Sequence, residues 1–219
     1  MPIARLASLP GSTFFRLGVP PYLAANVAVP VGVQFAFWPQ IDDQSLVSAG
    51  DLGDPQYLWY LSAVNPALVG TGETVFFARE VNIAIPALAA SIITTISVKI
   101  ATDNAFQARM TLTPAVVGAP VIFNFTDGIT AQNFNESGPP FNWQKIYNFT
   151  QELTLLAGAT GFNLEFEVKT VNYAQAGGTQ FTNTAGLLYD IEIGGFLAAP
   201  ILPPTVAEVQ PPTITNPLV

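Results

Sequence analysis

Cysteine and histidine are absent from all 219 residues, and lysine and arginine together number only 7. Without cysteine there can be no disulfide and no thiolate metal site. Without histidine the commonest general base, the commonest metal ligand and the usual pH switch are lost together. Against the 7 cations stand 15 aspartates and glutamates, for a formal net charge of −8. A nucleic-acid-binding surface needs a basic footprint, and this chain has none to offer. An anionic membrane surface is disfavoured for the same reason. The nucleophile elbow G-x-S-x-G and the dinucleotide fingerprint G-x-G-x-x-G are both missing.

Long uninterrupted apolar runs are also lacking. The longest, Ile83 to Val98, contains Pro86, Ser91, Thr94 and Thr95 and is stopped by Lys99. It is too short and too polar for a membrane span and reads as two core strands joined at Pro86. Met1 to Pro21 carries Arg5, but Pro10, Gly11 and Arg16 break the apolar stretch after it, so no secretory signal peptide is expected.

Apolar residues are plentiful: half of the chain is hydrophobic and 10% is charged, too apolar a mixture for disorder. A chain of this length buries roughly 70% of its unfolded surface, enough for a real core. The hydrophobic pattern has period two. Val29, Val31, Val33, Phe35 and Phe37 alternate with Pro30, Gly32, Gln34, Ala36 and Trp38, which predicts a strand, and Pro30 puts its start at an edge. Strands are predicted again over 74–85, 92–100, 106–112, 121–125, 146–156, 162–169 and 187–193, with a short apolar piece at Trp59 and Tyr60. Arg79 interrupts the apolar face of the first of these. Turn chemistry separates them: the acidic loop Gln40 to Pro55, Asp103-Asn104, Gly158 to Gly161, and Gly177-Gly178. No eleven-residue window has a capped helical period.

The pattern predicts an all-β jelly-roll β-sandwich of about eight or nine antiparallel strands, with extended arms at both ends. Residues 1–28 form the N-terminal arm, since Pro2, Pro10, Pro20 and Pro21 fix φ and remove donors. Residues 29–198 form the sandwich. Residues 199–219 form a proline-rich tail whose spacing favours polyproline II geometry.

The segment Phe77 to Ile193, a little over half of the chain, resembles the galactose-binding-like jelly roll of bacterial surface and spore-associated proteins. The ordered motifs are Phe76-Phe77-Ala78-Arg79, Ile96 to Ala101, Asp103-Asn104, Phe106 to Met110, Trp143, Gly161-Phe162-Asn163, Leu164 to Val171 and Thr184-Ala185-Gly186-Leu187-Leu188. Thr113-Pro114 departs from the family, which often has an Asn-Gly turn there, so the hairpin tip is altered. The resemblance implies a jelly roll; relatives of this kind either bind sugars or build structure.

Candidate sites can be named by residue type. Asp42, Asp43, Asp51 and Asp54 are oxygen donors of the kind Ca²⁺ prefers, although no calcium-loop spacing is present, and no other cofactor is expected. Glu165 and Glu167 are a carboxylate pair of the glycosidase type, but they alternate with a clean core face and read as a solvated strand face. Trp59, Tyr60 and Trp143 are candidate platforms for a sugar ring, with Trp38, Tyr57 and Tyr147 as further aromatics. Phe14, Phe15, Leu17, Val29, Val31 and Val33 are candidates for an assembly arm that adds to the sheet edge of a neighbouring copy.

The function expected from these features is non-catalytic. The first expectation is a structural subunit that self-assembles into a bacterial extracellular or spore-surface layer or filament, linked by arm exchange. The alternative is a carbohydrate-binding module with surface glycans as partner. A viral capsid jelly roll comes third, because Arg5 and Arg16 make a poor basic arm for packaging a genome.

Overall fold

The computed structural model describes residues 4–32, 34, 36–43, 49–134, 142–194 and 204–219. Among them the chain runs through β1 (Ala4–Ala7), β2 (Phe14–Arg16), β3 (Val29–Pro30), β4 (Leu58–Trp59), β5 (Glu73–Ala84) and β6 (Ile92–Asp103). It continues through β7 (Ala105–Pro114), β8 (Val121–Thr126), a 3-10 turn at Asn142–Gln144, β9 (Tyr147–Leu155), β10 (Gly161–Asn172), β11 (Gly186–Ile193) and β12 (Thr205–Glu208). All described strand pairs are antiparallel, and they make two six-stranded sheets packed as a jelly-roll β-sandwich.

The first sheet has the order β3-β4-β11-β6-β9, and the second has β12-β5-β10-β7-β8. Each sheet completes one flank with two short strands laid end to end. On β11, Leu187 pairs with Leu58 of β4, while Asp190 to Ile193 pair with β1. On β5, Phe76 to Ala78 pair with β2, while Val81 to Ala84 pair with β12. Period-two alternation sets which side chains meet between the sheets. Phe162, Leu164, Phe166 and Val168 of β10 face Ile96, Val98 and Ile100 of β6 and Leu187, Tyr189, Ile191 and Ile193 of β11 across one contiguous core. Each such side chain stabilises the fold by about 1.5–3 kcal/mol when fully withdrawn from water.

Three sequence expectations change at the ends of the chain. Among the described residues, the strand predicted from Val29 is regular only over Val29–Pro30. Pro30 has no N–H to give a ladder; Val31 N–H continues the register to the Tyr57 carbonyl at 2.9 Å, and Gly32 N–H then turns away to the Ser62 carbonyl at 2.7 Å. Val33 lies outside the described residues. Residues 4–28, predicted as part of an arm, contribute one strand to each sheet of their own chain. β2 also forms a hairpin with residues 26–28: Phe15 N–H donates to the Asn26 carbonyl and Ala28 N–H to the Thr13 carbonyl, leaving residues 17–25 as the hairpin loop. The proline-rich tail supplies β12 and then crosses the outer face of the second sheet. Phe14, Tyr22, Phe76, Ala78 and Leu218 form a separate small core there, with both ends of the chain over one sheet.

Candidate functional site

The acidic loop packs around two buried arginines. Arg5 and Arg79 are almost wholly withdrawn from solvent. The Arg5 guanidinium donates to Asp190 at 2.8 Å and to the Gly53 carbonyl at 2.8 Å, and pairs with Asp43 at 3.0 Å. Arg79 points from β5 between the sheets and clamps Asp51, at 2.9 Å from one nitrogen, together with Glu208 and the Ala7 carbonyl. Asp51 also accepts the Ala7 N–H at 2.6 Å. Asp54 accepts the Asp43 N–H, and Asp43 accepts the Gly53 N–H. Asp42 is exposed. Thus Asp43 and Asp51 neutralise arginines, and among the described residues no three Asp or Glu side chains are gathered to hold a metal ion. Burial pushes the Asp190 carboxyl up, and Arg5 partly offsets it.

The structure brings Trp59 and Tyr60 together on Glu73. Trp59 Nε1 donates to the Glu73 carboxylate at 3.1 Å, and the Tyr60 hydroxyl donates to its other oxygen. Trp59 is fully buried against Phe77, with ring centroids 5.4 Å apart, so it presents no platform to solvent. Tyr60 is half-buried, and Phe15 packs against its ring. Burial raises the Glu73 carboxyl above the usual range. Trp143 is half-buried in the 3-10 turn and packs on the main core. Of the arm candidates, Phe14 and Val31 are buried, while Leu17 and Val29 are exposed.

Glu165 and Glu167 are buried, not solvated. The alternation correctly puts them on the outer face of β10, but a strand's period says nothing about what covers that face. The tail covers it. Thr215 gives its N–H to Glu165 at 2.8 Å, Leu218 gives its N–H to Glu167, and Thr213 donates to Glu80 on β5. Glu167 also accepts the Tyr22 hydroxyl at 2.6 Å and pairs with Arg16 at 3.0 Å, which joins the N-terminal hairpin to the tail. Arg16 lies 3.7 Å over the Phe76 ring. Burial, with Glu80 and Glu167 nearby, raises the Glu165 carboxyl. These carboxylates are spent on backbone donors, so the arrangement is a latch for the tail.

An open groove lies at the end of the sandwich where β7 begins and β10 finishes. It has a volume of about 240 Å³, and its walls include Gln107, Ile129, Thr130, Lys169, Val171 and Tyr173. Gln107 and Lys169 are register partners on the outer face of adjacent strands. Tyr173 is half-buried, with its ring 4.6 Å from that of Phe134. The loop that carries Ile129 and Thr130 is held in place from below. Asp127 accepts the Phe106 N–H at 2.8 Å and the Ile129 N–H at 2.9 Å, and Asn133 bridges the Thr130 N–H and the Gly128 carbonyl. Burial raises the Asp127 carboxyl to about 6, although the two backbone N–H groups pull the other way. The Tyr173 hydroxyl is pushed up by burial first and by Asp127 second.

The groove therefore joins an aromatic ring and an amide on the sheet with a hydroxyl on a fixed loop, beside Lys169, whose ammonium donates to the Val219 carbonyl at 2.7 Å. Such a set can stack on a sugar ring and exchange hydrogen bonds with its hydroxyls. Sequence reading missed Gln107, Thr130, Lys169 and Tyr173. Their signal was only the outward half of each alternation, and pairing Gln107 with Lys169 requires the strand register.

No family model matches the sequence, and no curated protein matches it. Among solved structures the chain is similar to TmCBM61 in complex with β-1,4-galactotriose, at 10% identity and a TM-score of 0.31 over 57% of this chain. That match spans 66% of TmCBM61, just under two thirds of its length. The chain is also similar to the carbohydrate-binding module CBM6cm-2 of Cellvibrio mixtus lichenase 5A in complex with cellotriose, at 14% identity and a TM-score of 0.31 over 90% of this chain and 99% of that one.

Proposed function

We propose that this protein is a non-catalytic carbohydrate-binding module of the galactose-binding-like kind, which recognises a glycan at a bacterial cell or spore surface through the groove beside Tyr173. The observation that carries this reading is the joining of Tyr173, Gln107 and Thr130, an aromatic ring, an amide and a hydroxyl, in one open concavity beside Lys169. Ring stacking supplies area at little conformational cost, and the amide and hydroxyl orient the sugar. Asp127 acts as a positioning residue: its carboxylate fixes the loop and does not face the ligand as a proton donor.

Affinity electrophoresis through gels that contain single polysaccharides tests the reading. Retardation by at least one polymer is expected, and Tyr173→Ala with Gln107→Ala should abolish it. Unretarded migration through neutral and acidic plant, bacterial and fungal polysaccharides alike would overturn the proposal.

A second reading, a subunit of a surface layer or filament, is favoured by a different observation, an end of the sandwich whose described loops bear no charge. Linkage by exchange of residues 1–28 would carry β1 and β2 into another copy's sheets. Interchain crosslinks between cysteines placed at Ala4 and Ile193, positions paired within the chain here, would support that exchange; crosslinks confined to single chains would remove it.

A further inference from the structure

Among the described residues, the loops at the end of the sandwich opposite the groove carry no charge. No Asp, Glu, Lys or Arg occurs between Glu80 and Lys99, between Arg109 and Asp127, or between Glu152 and Glu165. The fold gathers the three loops within these stretches into one surface. Ile85 N–H donates to the Thr160 carbonyl, Gly158 N–H to the Leu88 carbonyl, and Ala115 N–H to the Gly161 carbonyl. The surface exposes Val116 at 67%, Val117 at 39% and Leu156 at 40%, together with alanines and prolines. At its centre is an apolar cavity of about 140 Å³, with Val117, Val121, Leu155, Leu156 and Phe162 among its walls. An engineered cavity of about 150 Å³ lined by aliphatic and aromatic side chains stays dry and accepts a small apolar guest.

The other end carries an exposed apolar loop. The hairpin loop 17–25 extends from β2, which runs antiparallel to β5 and leaves it beyond Phe76, toward Glu73. The loop reads Leu-Gly-Val-Pro-Pro-Tyr-Leu-Ala-Ala, and no charge occurs between Arg16 and Asp42. Val19 is 88% exposed, Leu17 58% and Leu23 53%, while Tyr22, near the middle of the loop, is buried and ties it to Glu167 on the outer face of β10. Soluble monomers seldom expose contiguous apolar patches of this kind unless the patches meet a partner.

We infer that the partner is a second copy of this chain, whose loop 17–25 docks on the charge-free end with an aliphatic side chain of the loop entering the cavity between Val117 and Leu156. The chain's net charge of −8 makes copies repel, and contact through the two surfaces without charge brings the fewest carboxylates together. Because β5 runs from the loop's end to the cavity's end, the contact is head-to-tail. A contact of that type does not close on itself, so it propagates as a line of molecules. This mode leaves β1, β2 and β12 in their own sheets.

Sedimentation velocity of the full chain across a concentration series tests the inference. The parent protein should show a ladder of species that lengthens with concentration, whereas Val19→Asp alone and Val117→Asp alone should each sediment as monomers. An equal mixture of these two variants should stop at dimers, because one intact loop meets one intact cavity. Parent protein that is monomeric throughout, or a variant that still builds the full ladder, would overturn it. So would a parent species that stops at a dimer, the mark of a contact between like surfaces.

Discussion

The two ends of this sandwich are finished with opposite chemistry. At the end where β7 begins, Asp103, Asn104, Asn183 and Thr184 are all buried, and Asp127 holds the loop that walls the groove. At the other end the loops 85–91, 114–120 and 156–160 carry only apolar and small uncharged side chains. Buried polar groups must be matched donor to acceptor, so the first end has one arrangement and can present a ligand with a fixed pattern of hydrogen bonds. The second end has nothing to match and interacts through area. One scaffold thus separates a polar end, to which we assign recognition, from an apolar end, to which we assign association.

Substitutions that break or sharpen this contrast differ in size. The largest effect belongs to the seam between the ends, where the missing surface cations have gone. Arg5→Leu leaves the buried Asp190 with Lys99 alone, 4.0 Å away, and removes the Asp43 pair and the Gly53 bond. Urea unfolding should show a loss of about 3–5 kcal/mol, as is usual when one member of a buried ion pair is removed.

Asp127→Ala should act next and only at the polar end. It deprives the Phe106 and Ile129 N–H groups of their acceptor, for about 1–3 kcal/mol in the same assay. The pH dependence distinguishes this substitution from the first. With its carboxyl raised to about 6 in the native state, Asp127 binds a proton in the folded chain at pH values where the unfolded chain has released it. Its contribution is therefore full below the ordinary carboxylate range and is lost as pH rises through about 6. The difference between parent and Asp127→Asn stability should narrow over that interval, and a difference that widens would contradict the account.

Val117→Asp lies on the uncharged end and should change unfolding free energy by no more than about 0.5 kcal/mol, as exposed substitutions usually do, while removing concentration-dependent sedimentation. The smallest effect expected is none. Calcium or EDTA should leave the thermal midpoint in place, because Asp43 and Asp51 already neutralise Arg5 and Arg79. A rise of several degrees with calcium would restore the acidic loop as a metal site.

Much of the frame was legible in the residues. The alternation over Phe162 to Lys169 puts the right side chains in the core because a period-two pattern is local. Arg79 interrupts such a face in sequence, and the partners that explain it, Asp51 and Glu208, are 28 and 129 residues away. The burial of Glu165 and Glu167 was illegible for the same reason: it depends on Thr215 and Leu218, which one strand's pattern does not contain. Trp59 illustrates a different limit. Composition marks an aromatic as a candidate platform, but only packing shows that its ring is enclosed with Phe77. The groove needed register, since Gln107 and Lys169 become neighbours only when β7 and β10 are paired.

The most direct test maps where a sugar lands. Amide chemical shifts of the ¹⁵N-labelled protein, tracked during titration with an oligosaccharide from a polymer that retards it, should move at Gln107, Thr130, Lys169 and Tyr173 and stay still over residues 114–120. Shifts centred on 114–120 and 156–160, with the groove amides unmoved, would contradict the assignment of recognition to the polar end.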